Sequence, residues 1–214
     1  SIPDIIVSDI MMPVMNGIMM CKILKEDVRT SHIPIILLTA KDSLQDKEEG
    51  YQVGADSYLT KPFSATLLHS RINNLLESRK RLTERFNTST PHHNMDEKRA
   101  LLAESLNKLD NEFIEKINQL IEARLSSEKI DIGYLADNMC MSKSTLYRKM
   151  KALTGLSTNE YVRKIKMQHA ERLLLEGRYN ISEVAFRVGI NSVVYFRQCF
   201  KEEFGVLPSE YLKQ

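Results

Sequence analysis

Through the first third of the chain, short apolar runs alternate with amphipathic stretches. Asp4-Ile-Ile-Val-Ser-Asp9, Ile33 to Ala40 and Ser57-Tyr-Leu-Thr60 are the runs, and helix-like stretches lie between them near 17–27 and 42–53. Strands that are apolar on both faces and separated by helices predict a parallel sheet covered on both sides, an α/β layer. A third helix is predicted after Pro62, with Leu67, Leu68, Ile72, Leu75, Leu76 and Leu82 on one stripe, running to about Phe86. The polar, proline-containing run Asn87-Thr-Ser-Thr-Pro-His-His-Asn94 ends that pattern and reads as a linker.

Beyond the linker nothing reads as strand. Phe113, Ile114, Ile117, Leu120, Ile121 and Leu125 recur at helical spacing within 110–125, and the remainder is a succession of short helices. The stretch Asp96 to Lys108 is compatible with helix or with a loose connection. The expected division is an α/β segment at 1–86, a linker at 87–109 and an all-α domain at 110–214.

Charge changes this picture little. The chain carries a net +2, spread as neutral over 1–95, −2 over 96–126 and +4 over 127–214, so only the helical domain is basic. Many solvated helical surfaces carry as much, and the case for nucleic acid has to come from motifs. The apolar runs fall far short of the roughly 20 residues that span a bilayer. No basic-then-apolar leader opens the chain, so the expected setting is cytoplasmic. Cys21, Cys140 and Cys199 are odd in number and widely spaced, which suits reduced packing cysteines. His92 and His93 lack a Cys or carboxylate at ligand spacing and read as solvated linker.

Candidate chemistry sits at the predicted strand ends. Asp9 ends the first run and precedes a turn containing Pro13 and Gly17, Thr39 ends the second, and Lys61 ends the third. In open parallel sheets chemistry collects at the carboxyl ends of strands. A carboxylate nucleophile there can accept a phosphoryl group, an ammonium can offset the added charge, and a hydroxyl can bond a phosphoryl oxygen. The segments Ile6-Val-Ser-Asp-Ile-Met-Met-Pro13, Leu38-Thr-Ala40, Gly54-Ala-Asp56 and Tyr58-Leu-Thr-Lys-Pro-Phe63 resemble the receiver domains of two-component response regulators, including the separations of 30 and 52 residues from Asp9 to Thr39 and Lys61. The resemblance implies a flavodoxin-like receiver, truncated here to strands three to five, with Asp9 as phosphoacceptor, Thr39 and Lys61 as its partners and Tyr58 as a switch aromatic. It also implies Mg²⁺ in an intact receiver, held by Asp9, the Met11 backbone carbonyl and two acidic residues on the first strand. Those two have no counterpart in the eight residues before Asp9, so this chain is expected to be a fragment that holds the metal poorly. The truncation also turns Asp4–Ser8 into a sheet edge and makes a homodimer the expected assembly.

The helical domain contains an internal repeat. Ile132 to Met141 aligns with Ile181 to Ile190 at an offset of 49, and Gly155 to Tyr161 aligns with Gly205 to Tyr211 at an offset of 50, so one residue is inserted after the turn. Ala136 and Ala185 are small enough for two helices to cross closely, and Gly189 suits a tight turn whose counterpart in the first copy is Cys140. Ser142 and Asn191 are the expected N-caps of the helices that follow. A single long helix, Thr158 to about Leu175, joins the copies. The layout, with Leu146-Tyr-Arg-Lys-Met150, Ala152-Leu-Thr-Gly155 and Phe200-Lys-Glu-Glu-Phe-Gly205, resembles the DNA-binding domain of the AraC family, in which Pro often stands where Thr158 is.

By that resemblance the second helix of each copy enters the major groove of double-stranded DNA. Ser144, Tyr147, Arg148 and Lys151 would face DNA from the first, and Val194, Tyr195 and Gln198 from the second; Lys143, Arg197 and Lys201 would contact phosphates. Arg148 suits guanine and Gln198 adenine. Leu146, Met150, Phe196 and Phe200 are expected to point inward.

Receiver and AraC-like modules in this order imply a transcription regulator controlled by aspartyl phosphorylation, with a histidine kinase as partner. The segment itself is expected not to be an enzyme: it has no Gly-rich nucleotide loop and no kinase histidine motif, so kinase activity would lie upstream in a longer hybrid polypeptide. A protein-interaction module is the competing reading, and salt-dependent binding to duplex DNA separates the two.

Overall fold

The computed structural model describes residues 2–40, 53–87, 106–126 and 130–212. The chain splits into two compact units, the first reaching Thr83 and taking in Asn107–Asp110, the second running from Asn111 through the C-terminal helices.

The first unit is the expected α/β layer. Its elements are β1 (Ile6–Asp9), α1 (Gly17–Glu26), β2 (Ile35–Thr39), β3 (Ser57–Thr60) and α2 (Ala65–Asn87). The strands are parallel in the order β1-β2-β3, in the register Asp9 opposite Leu38 and Thr39 opposite Thr60. Ile35, Ile36 and Leu37 of the central strand are fully buried. One face of the sheet packs with Ile18 and Cys21 of α1 in a cluster that also takes in Ile10, Ala55 and Tyr58. The helix expected at 42–53 lies almost wholly outside the described residues, as do His92 and His93.

The sequence left the cover of the α2 stripe open, and its expectation for one cysteine needs correction. The apolar stripe of α2 is not buried: Leu67 is 45% and Leu76 39% exposed, and Leu68, Ile72 and Leu75 are only half-buried. Periodicity reports that a helix has an apolar face, and what covers that face is a tertiary matter. Cys140 is exposed, whereas Cys21 and Cys199 are buried as packing cysteines should be.

The second unit is all helix among its described residues: α3 (Lys108–Glu122, its first turn grouped with the first unit), α4 (Ile132–Asn138), α5 (Lys143–Thr154), α6 (Thr158–Leu175), α7 (Ile181–Arg187), α8 (Val193–Phe204) and α9 (Pro208–Tyr211). Helix α3 ends at Glu122, three residues before Leu125, and it contributes Phe113, Ile117 and Ile121 to the interior. The fully buried Lys149 of α5 lays its ammonium over the Phe113 ring at 4.9 Å, and the Tyr161 hydroxyl of α6 donates to Asn118 of α3 at 2.9 Å. A second core is built from Met167, Ala170 and Leu174 of α6, Val184 and Ala185 of α7, and Phe196, Cys199 and Phe200 of α8. Phe200, Phe204 and Tyr211 extend it, with ring centroids 4.4 to 5.6 Å apart.

Candidate phosphoacceptor site and nucleic-acid interface

The carboxyl edge of the sheet gathers the expected trio from three strand ends. Asp9 closes β1, and its Oδ1 accepts from the Met11 backbone N–H at 3.2 Å while Oδ2 accepts from the Lys61 ammonium. That bond, more than any other influence, holds the Asp9 carboxyl below the usual carboxylate range. Lys61 is placed by its own backbone, whose N–H donates to the Thr39 carbonyl at 2.8 Å, and the Lys61–Pro62 peptide is cis. Thr39 is buried at the end of β2, with its hydroxyl donating to the Ala40 carbonyl at 3.2 Å. Tyr58 lies lower on β3, opposite Leu37, and is buried in the cluster beneath α1. The structure therefore joins Asp9 to Lys61 directly, sets Thr39 beside them through the β2–β3 ladder, and holds Tyr58 in the core.

Two features of this edge are not evident from the motif alone. Gly17 starts α1 against the end of β1: its N–H donates to the Ile10 carbonyl at 2.9 Å, and a Cβ there would lie 2.3 Å from the Asp9 carbonyl oxygen. Any side chain would push α1 off the strand that carries Asp9. Asn16 caps the same helix by accepting from the Met19 N–H at 2.7 Å. The motif residue Asp56 works at the opposite edge, where its Oδ2 accepts from the Lys25 ammonium at 2.7 Å and the Ile35 N–H at 2.9 Å. Lys25 also donates to the Ile33 carbonyl at 3.0 Å, so one ion pair ties α1 to the start of β2. Arg79 of α2 reaches the same edge, donating to the His32 carbonyl.

The residues described do not by themselves fit Mg²⁺. One Asp9 oxygen is taken by Lys61, and among the described residues no group of three His, Cys, Asp or Glu side chains comes together. An octahedral ion that dehydrates reluctantly needs more than one carboxylate and the Met11 carbonyl.

In the helical unit, both copies of the repeat make the same turn. Met139 N–H to Leu135 O, Cys140 N–H to Asp137 O and Met141 N–H to Ala136 O recur as Val188 to Val184, Gly189 to Phe186 and Ile190 to Ala185, all between 2.9 and 3.1 Å. Such a helix stop requires a left-handed residue after the C-cap, and Cys140 (φ 52°) and Gly189 (φ 67°) supply it. Ala136 and Ala185 are buried as the close crossing requires.

One cap differs from expectation. Ser142 caps α5 through the Thr145 N–H, but α8 is capped by Ser192 through the Tyr195 N–H, and Asn191 is the inserted residue. Both serines can accept from the third N–H of their helix, and only the path of the turn decides which residue arrives there. The helices α5 and α8 are consequently equivalent at an offset of 50. Leu146 and Met150 are fully buried, as are Phe196 and Phe200, so these aromatics are core. On the outer faces Lys143, Ser144, Tyr147, Arg148 and Lys151 are exposed on α5, and Val194, Tyr195, Arg197, Gln198 and Lys201 on α8. Sequence reasoning missed the residues supporting the second face: Arg163 of α6 approaches Glu202 at 3.9 Å, and Lys164 pairs with Glu203 at 3.2 Å.

Fold and sites together define the class: an α/β segment with an acid–lysine pair at its carboxyl edge, followed by a helical domain with two helix-turn-helix units. Residues 1–73 match the family model described as the response regulator receiver domain, and residues 135–214 match that of a helix-turn-helix domain. The chain thus joins a response regulator receiver segment to an AraC-type helix-turn-helix domain. A protein of Formosa agariphila named histidine kinase P4 is 36% identical over 211 residues, which is 99% of this chain and 15% of that protein. The DNA-binding dual master transcriptional regulator RpaA of Synechocystis is 42% identical over 82 residues, 38% of this chain and 34% of that one. Among solved structures, the C-terminal domain of AraT, a response regulator from Geobacillus stearothermophilus, is 31% identical over 47% of this chain and 84% of that one, with a TM-score of 0.44. The chain spans 15% and 34% of the lengths of the two named sequence relatives.

Proposed function

We propose that this chain is the output end of a two-component system: a transcription regulator that binds double-stranded DNA sequence-specifically and is controlled by phosphorylation of Asp9. The observation that carries the reading is the pair of equivalent helix-turn-helix units, with basic and polar side chains outward on α5 and α8, in one chain with the Asp9–Lys61 pair. On this reading Lys61 offsets the phosphoryl charge, Thr39 bonds a phosphoryl oxygen, and Tyr58 follows Thr39 when it moves. Lys143, Arg197 and Lys201 hold the DNA backbone while Arg148 reads a base. A histidine kinase supplies the phosphoryl group, and the work is done in the cytoplasm. Among the described residues no helix is long and apolar enough to cross a membrane.

The test uses a duplex enriched by the chain from a random library. Binding should weaken steeply with salt, as expected when phosphate contacts release counterions. Arg148→Ala should cost ~1–3 kcal/mol in a gel-shift titration and relax preference at one base pair. Salt-insensitive binding, or a variant that binds like the wild type, overturns the reading and leaves the protein-interaction module.

A second proposal concerns the parent polypeptide. The match to histidine kinase P4 runs along 99% of this chain. That favours a hybrid protein in which kinase activity lies upstream of the segment, and the coding sequence preceding Ser1 decides it.

A further inference from the structure

The register fixed by the Ser142 and Ser192 caps places Ser144 opposite Val194 and Arg148 opposite Gln198. The two helices thus present different chemistry at the same two positions. On α5 the pair is a hydroxyl and a guanidinium. On α8 it is an isopropyl group and a carboxamide.

Val194 is 77% exposed on the outer face of α8, one turn before Gln198 and on the same side of the helix. Nothing in the core needs it there, since Phe196, Cys199 and Phe200 fill the inner face. The apolar group that base edges offer in the major groove is the C5-methyl of thymine, and a branched aliphatic side chain is its natural contact. Gln198 donates one amide hydrogen to Glu202 Oε1 at 3.1 Å, and the other oxygen of Glu202 faces Arg163. This leaves Gln198 its second N–H and its carbonyl oxygen, the donor and acceptor that match adenine N7 and N6.

We propose that α8 reads an A·T step in the major groove, packing Val194 on a thymine methyl beside the adenine that Gln198 holds. The inference rests on the DNA-binding reading above.

The experiment enriches duplexes from a random library with the full 214-residue chain and with Val194→Ala. Each thymine of the enriched site is then replaced by deoxyuridine, which removes the methyl group and keeps the base pair. For the wild type, one replacement in the half-site that Val194→Ala relaxes should weaken binding about fourfold, the worth of one buried methyl. For Val194→Ala the same replacement should change affinity by no more than about twofold, because the partner of the methyl is gone. Val194 is exposed, so an unchanged melting temperature is expected and separates readout from folding. A wild type indifferent to every deoxyuridine, an equal loss in both proteins, or a G·C pair selected at that position overturns the proposal. If no duplex is enriched at all, the DNA-binding reading itself falls.

Discussion

At the scale of single residues, the repeat exposes two positions where one copy is less well suited than the other. Cys140 adopts φ 52° where the second copy has Gly189. A side chain there costs about 1–2 kcal/mol against the following carbonyl, whereas glycine adds about 0.4–1 kcal/mol of unfolded-state entropy. Cys140→Gly is therefore expected to stabilise the helical unit by up to about 1 kcal/mol, read as a higher denaturant midpoint at constant slope. A lower midpoint would mean that the thiol makes a contribution the turn geometry does not show. Thr158 is the second case: it starts α6, is 2% exposed, and its hydroxyl has no hydrogen-bond partner. The equivalent residue of the second copy is Pro208, at the first position of α9. Ser157, with φ −65° and ψ 159°, already has the extended backbone that a following proline requires. Thr158→Pro removes a buried unsatisfied hydroxyl and a helical N–H that has no intrahelical acceptor. It should raise stability by about 1 kcal/mol, and a loss of that size in thermal unfolding would show that the hydroxyl is satisfied in solution.

Among the helices, α6 packs against α5, α7 and α8, and it also carries a pH-sensitive group. Its N-terminus is closed by a capping box, Ser157 accepting from the Glu160 N–H and Glu160 accepting from the Ser157 N–H at 2.7 Å. Farther along, His169 has a buried Nδ1 with no hydrogen-bond partner. Burial, and then the Arg172 guanidinium, depress its pKa, against the opposing pull of Glu122 and Glu176. A histidine depressed in the folded state binds fewer protons than it does unfolded. Its contribution is thus fully present above the unfolded value near ~6.5 and is lost as the pH falls toward the folded one. Between about pH 7.5 and pH 5.5 the wild-type melting temperature should drop further than that of His169→Gln. Equal drops in the two proteins would assign the acid sensitivity to other groups.

For the whole molecule, the first unit presents a strand edge. Among the described residues β1 pairs only with β2, and Val7 on it is 38% exposed. An apolar parallel-type edge with free backbone groups is a template for pairing with another chain. Residues 1–214 are expected to sediment as a dimer at concentrations where residues 96–214 are monomeric, and dimerisation would bring two DNA-binding domains to repeated half-sites. Two monomers at the same concentration would show that the edge is blunted in some other way.

The parts of this protein legible from its sequence are those written in short-range chemistry. The three strands came from runs of β-branched residues, α6 from its place joining the two copies of the repeat, and the candidate site from an acid, a hydroxyl and a lysine at strand ends, because parallel topology brings such ends to one edge. The repeat likewise foretold the buried Ala136 and Ala185 and the strained Cys140. Other features depend on where the backbone goes in three dimensions. Whether Ser192 or Asn191 caps α8 is decided by the path of the turn, since both side chains are chemically able. The exposure of the α2 stripe and of Cys140 depends on what is packed above them, which periodicity does not encode. Asp56 was visible as a motif residue, but its bond to Lys25 joins groups 31 residues apart and exists only once α1 lies on the sheet. The Gly17 contact with the Asp9 carbonyl has the same origin: a missing side chain acquires its meaning from the strand that closes against it.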